Sequence, residues 1–218
     1  MKKHSIALLL LLVLLTGCGA KTEEAPWQTA YRETGKYLQE QDALSAGSVG
    51  GEWAVIGLSR AGLLSDETAQ SYEQTVEDYV KQAGSVRLHH AKSTENSRAI
   101  LGLTAAGYNA ANMAGVDLTA GLTDMAYLRA QGTNGPIWAL IALDCHGYDI
   151  PQCADGEEQT TCEGLVAEIL SYQCSDGGWA LMGDESDVDM TAMALTSLAP
   201  YQEETDIKAA VDAPLTYL

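Results

Sequence analysis

The chain has 218 residues and a net charge of −18, from 30 acidic against 12 basic side chains. That excess of acid leaves no basic surface for nucleic acid, and none for electrostatic adsorption onto anionic lipid. The length suffices for one good core or two small ones.

Lys2 and Lys3 precede an uninterrupted apolar run over residues 6–15. The run is too short to span a bilayer as a helix, and a basic start before a short apolar stretch is the pattern of a secretory signal. Residues 19–26 read as a short tether. A helix is predicted over 27–41. Gly47, Gly50 and Gly51 break the chain, and Glu52-Trp53 open a compact apolar helix over 54–61, with Gly62 placed to end it. Ser65-Asp66-Glu67 supplies an N-cap and an acidic first turn for a helix reaching residue 82. A small-residue apolar helix over 93–106 ends at Gly107. An amphipathic helix is expected over 119–131. An apolar one follows over 136–143, with Pro136 at its first turn. Then come an amphipathic helix over 161–173, an apolar one over 187–198 stopped by Pro200, and a last amphipathic one over 206–218.

Two helix types thus alternate. In one, Tyr72, Val76, Tyr79 and Val80 line an apolar stripe opposite Glu73, Glu77, Asp78 and Lys81. The other is small and apolar all round, as in Ala54-Val55-Ile56-Gly57-Leu58 and Trp138-Ala139-Leu140-Ile141-Ala142-Leu143. A helix apolar on every side is buried. A hydrophobic pair followed by glutamine also recurs: Tyr37-Leu38 with Gln41, Tyr79-Val80 with Gln82, Tyr127-Leu128 with Gln131, and Ile169-Leu170 with Gln173. It begins again at Tyr217-Leu218. A repeat of roughly 45 residues that is helical throughout means stacked helical hairpins. The expected fold is all-α: an α/α toroid over 27–218, with small apolar helices as an inner ring and charged ones outside. The chain supplies about four and a half hairpins, so the ring is expected to be incomplete.

Four cysteines follow Cys18: Cys145, Cys153, Cys162 and Cys174. Outside the cytoplasm an even number permits two disulfides in three pairings. Cys145 ends one helix, Cys162 starts the next and Cys153 lies in the loop between, whereas Cys174 sits a whole helix further, roughly 18 Å away. At most one bridge is expected, within Cys145, Cys153 and Cys162. No CxxC pair exists for zinc, and no cofactor is expected.

Leu15-Thr16-Gly17-Cys18 resembles a bacterial lipobox. That resemblance implies a signal peptide of residues 1–17, a diacylated Cys18 as the new N-terminus, and a cell-membrane anchor on the extracytoplasmic face. Two acyl chains suffice for stable anchoring. Gln173 with Asp176-Gly177-Gly178-Trp179 resembles the QW-type repeat of the prenyltransferase and terpenoid-cyclase superfamily. The likeness covers about residues 27–218. It extends to bacterial secreted proteins with such repeats and, more loosely, to the toroid of the vitamin B12 carriers intrinsic factor and transcobalamin.

Class II terpenoid cyclases carry Asp-x-Asp-Asp-Thr-Ala, with the middle aspartate as proton donor. Here Asp187-Val188-Asp189-Met190-Thr191-Ala192 keeps two aspartates and has Met190 for the third, so the resemblance puts Asp189 at the donor position. The favoured reading is plainer: Asp187 as N-cap and Asp189 in the first turn are ordinary helix-start chemistry. The superfamily's zinc enzymes use Asp, Cys and His. Asp144-Cys145-His146 are consecutive, diverge by about 100° each, and cannot converge on one ion. Cys162-Glu163-Gly164 is not a thioester string, and no nucleophile elbow, phosphate loop or HExxH appears.

The expectation is a non-enzymatic surface lipoprotein that binds a small ligand, a glycan or a protein. The alternative is an enzyme, cyclase-like at Asp189 or glycan-active. In such a toroid the inner helices' N-termini ring one mouth, where their dipoles attract polar or anionic groups. Glu52, Trp53, Glu95, Asn96 and Arg98 are expected there, with Asn134, Trp138, Asp187 and Asp189 from the later repeats. Trp53 and Trp138 can stack on a planar ring or a sugar.

Overall fold

The computed structural model describes residues 25–41 and 44–214. The signal-like segment 1–17, Cys18 and the last four residues of the expected final helix lie outside them.

The described chain is all-α. Nine helices succeed one another among these residues: α1 (Pro26–Gln39), α2 (Val49–Arg60), α3 (Asp66–Ala83), α4 (Thr94–Ala105), α5 (Met125–Arg129), α6 (Asn134–Asp144), α7 (Cys162–Ser171), α8 (Val188–Leu198) and α9 (Thr205–Asp212). Short 3₁₀ turns cover Ala110–Asn112, Leu118–Leu122 and Ala199–Tyr201. Two of the local causes, the Ser65 and Asp187 caps, are those read in the sequence. Ser65 Oγ accepts from Thr68 N to cap α3, and Gly84 ends it in the left-handed region at φ 60°. Thr161 caps α7 and Asp187 caps α8 in the same way.

The small apolar helices form one layer: α2 packs on α4, α4 on α6, and α6 on α8. The amphipathic helices lie against them, α1 on α2, α5 and α7 on α6, and α9 on α8. On α3, Tyr72, Val76 and Val80 are buried. The Tyr72 ring lies over Gly102 of α4, where a Cβ would sit 2.8 Å from Cζ, so only glycine permits that approach. One continuous core joins the layers, including Val55, Leu58, Ile100, Leu103, Leu140 and Ile169.

The helix expected over 119–131 is not continuous. The 3₁₀ turn over Leu118–Leu122 is followed by a break at Thr123 and Asp124, and then by the short α5. The cause is long-range. Thr123 O accepts from Thr160 N, and Met125 N donates to Glu158 O. Asp124 Oδ2 holds Arg87 at 3.0 Å, while its Oδ1 caps Ala126 N. Backbone paired sideways with another loop cannot also pair along a helix.

No disulfide forms among Cys145, Cys153, Cys162 and Cys174, within the expected limit of one bridge: all four are free thiols. Cys145 Sγ instead donates to Ala142 O at 3.1 Å, and Cys153 Sγ to Glu157 O at 3.6 Å. Burial raises the thiol pKa of Cys145 and of Cys162.

Candidate functional site

Each helix of the apolar layer turns one stripe toward a shared groove. Trp53 and Ile56 come from α2, Arg98 and Leu101 from α4, Trp138 and Ile141 from α6, and Met193 and Thr196 from α8. A spacing of three places each pair on one helix face. The groove has two joined parts. An apolar part of 360 Å³ is walled by Ile56, Leu101, Ile141 and Met193 between the two tryptophans. A more polar part of 280 Å³ adds Thr94, Arg98 and Asn134. Trp53 and Trp138 meet edge to face, with ring centroids 5.2 Å apart and planes at 62°. Trp53 remains 39% exposed, so its ring is offered to the groove.

Behind the polar part lies a buried charge cluster. Arg98 Nη2 donates to Glu95 Oε2 at 2.6 Å, and Tyr79 Oη donates to the same oxygen at 3.4 Å. Glu52 is 1% exposed, and its Oε1 accepts from Gly47 N at 2.6 Å. Burial pushes its carboxyl pKa up, and the backbone N–H groups of Glu52 and Gly47, with Arg98, pull it part of the way back. Glu52 Oε2, Arg98 Nε and Tyr72 Oη are buried with no hydrogen-bond partner among the described residues.

Of the residues expected at the mouth, Trp53, Arg98, Asn134 and Trp138 line the groove, and Glu95 reaches it through Arg98. Glu52 does not open onto it, being buried between α2 and the 44–48 turn. Asn96 points the other way: its Nδ2 donates to Val86 O and Leu118 O, and its Oδ1 accepts from Leu88 N. Full satisfaction of a buried amide marks a scaffold role. Asp187 Oδ1 accepts from Met190 N at 2.8 Å as the cap of α8, and Asp189 is exposed in its first turn. Neither lines the groove.

Sequence reasoning missed Ile56, Thr94, Leu101, Ile141 and Met193. Ile56, Leu101 and Ile141 lie three residues beyond Trp53, Arg98 and Trp138, a signal that was legible. They were hidden because a uniformly apolar helix does not declare which face is open.

The Gln-Asp-Gly-Gly-Trp string is structural. Trp179 is fully buried, and its Nε1 donates to Ile169 O at 2.7 Å. Its backbone N donates to Thr191 Oγ1 at 2.9 Å. Gln173 Nε2 donates to Gly177 O and to Ala210 O, tying the end of α7 to α9. Gln131 does different work: its Oε1 accepts from Thr94 N and Ser93 Oγ at the start of α4. Among the described residues no group of three or more His, Cys, Asp or Glu is placed to hold a metal ion, and no helix is long and apolar enough to cross a membrane. Comparison of the chain with protein-family models, curated proteins and solved structures finds no match.

Proposed function

We propose that this chain is a bacterial lipoprotein held on the extracytoplasmic face of the cell membrane by acylated Cys18, and that its helices form an open α/α toroid of the prenyltransferase-like kind. Its work is to bind a ligand in the inner groove without catalysing a reaction on it. The observation that carries the reading is the groove itself, to which all four small apolar helices contribute. The Trp53–Trp138 pair and the aliphatic wall suit a flat or hydrocarbon body. Thr94, Asn134 and Arg98 suit a polar end. The alternating helix types, each apolar helix packed on the next, support the toroid.

The test is thermal melting of the soluble chain from residue 19, alone and with corrinoids, glycans and isoprenoids. A ligand at 100 times its Kd adds about 2.7 kcal/mol, raising Tm by about 5–10 °C in a chain of this size. The expected result is that one class raises Tm and that Trp138→Ala abolishes the rise. A panel that leaves Tm unmoved, or a rise that survives Trp138→Ala, removes the groove as the site.

A further inference from the structure

Helix α1 carries an apolar arc that the body covers only along one edge, where Tyr31, Thr34 and Leu38 stand beside Gly57, Leu58 and Ala61. At about 100° per residue, Trp27, Ala30, Tyr31, Thr34, Tyr37 and Leu38 fall within roughly 120° of one another. Arg32, Glu33 and Lys36 take the opposite side. The helix is attached through its C-terminal half. Gly35 is buried against Leu63, Leu38 packs on the core, and Gln39 Nε2 donates to Leu63 O at 2.7 Å. The aromatic side chains of the arc stay in water: Trp27 is 68% exposed, Tyr31 55% and Tyr37 62%. One tryptophan and two tyrosines on one helix face suit the bilayer interface, where an apolar ring meets acyl chains and its polar tip meets headgroups.

Two further observations name the occupant. Cys18 stands eight residues before Pro26, a span that reaches at most about 28 Å fully extended. The arc therefore lies close to whatever surface holds Cys18. Charge points the same way: α1 has two basic residues against one acidic, in a chain whose net charge is −18. An acidic body is held off anionic headgroups, whereas α1 is not.

We propose that α1 is an interfacial helix whose aromatic arc rests in the headgroup region of the bilayer carrying the Cys18 anchor. The body is then held in one orientation and does not swing freely on its tether. The proposal rests on the lipoprotein reading above.

The experiment uses full-length, acylated protein in vesicles of phosphatidylethanolamine and phosphatidylglycerol doped with dibrominated phosphatidylcholine, whose bromines quench indoles lying in the membrane. The wild type floats with the vesicles and is quenched. Trp27→Phe floats equally and loses most of the quenching. Tyr31→Asp, at a site 55% exposed, loses it too with Trp27 still present. Protein that floats but whose quenching is indifferent to Trp27→Phe overturns the interfacial helix and leaves the anchor standing. Protein that fails to float, as Cys18→Ser should, overturns both. A lipid-free dimer that Tyr31→Asp converts to monomer means a second copy covers the arc, which also overturns the proposal.

Discussion

Replacing Trp179 by phenylalanine tests whether the Gln-Asp-Gly-Gly-Trp string clamps the repeat together. The side chain is fully buried, and its Nε1 donates to Ile169 O at 2.7 Å. Phenylalanine deletes that N–H and about three ring atoms. The lost hydrogen bond costs about 1 kcal/mol. It does not cost the full orphan penalty, because Ile169 O still accepts from Tyr172 N at 3.2 Å. The lost ring atoms cost about 2 kcal/mol, at about 0.8 kcal/mol per methylene-sized group with a contribution from the cavity left behind. Together the change removes about 3 kcal/mol and lowers Tm by about 6–12 °C. Trp179→Ala should cost more, roughly 4–6 kcal/mol, since the whole ring goes. The assay is urea denaturation of the soluble chain followed by circular dichroism, which does not depend on the indole being removed. A Trp179→Phe protein within about 1 kcal/mol of wild type, at unchanged m-value, refutes the clamp.

Gly102→Ala pushes a Cβ into the Tyr72 ring and should cost about 1–3 kcal/mol by overpacking; Tyr72→Phe should restore part of it, measured by the same denaturation. Tyr72→Phe alone should be neutral or slightly stabilising, because the hydroxyl it removes is buried without a partner. Glu52 gives a pH test: its folded pKa is raised above 4.5, so the folded state holds the proton more tightly than the unfolded one. Its contribution to stability is therefore greatest below about pH 4.5 and is lost as pH rises through the raised value. Glu52→Gln, which keeps an acceptor for Gly47 N, should remove that fall and leave the protein more stable than wild type at pH 7 in melts across this range. Asp187→Ala should cost about 1 kcal/mol through the lost α8 cap, while the exposed Asp189→Asn should change stability by less than about 0.5 kcal/mol. If a turnover is ever measured and Asp189→Asn abolishes it with the fold intact, the binding reading gives way to the enzymatic one.

The helices were legible in the sequence because their causes are local. Ser65, Thr161 and Asp187 cap the residues that follow them, and Gly84 supplies the backbone freedom that ends α3. The small apolar runs announced the inner layer, although each of those helices leaves one stripe open to the groove. The region 119–131 was misread because Asp124 and its neighbours answer to Arg87 and to residues 158–160, contacts that no local window contains.

The site was legible only in part, for a rotational reason. Glu95, Asn96 and Arg98 lie within one turn of α4, yet Arg98 lines the groove, Glu95 steadies it, and Asn96 faces the opposite way toward Val86 and Leu118. Composition near a helix start says that polar residues gather there, but not how the helix is turned about its axis. Packing decides that. Trp53 and Trp138 are a pair only because α2 and α6 flank the same helix, α4. The sequence by itself determined helix type, order and caps, all properties of short segments. Tertiary structure alone decided which side chains share a groove, since that depends on the rotation and proximity of helices far apart in the chain.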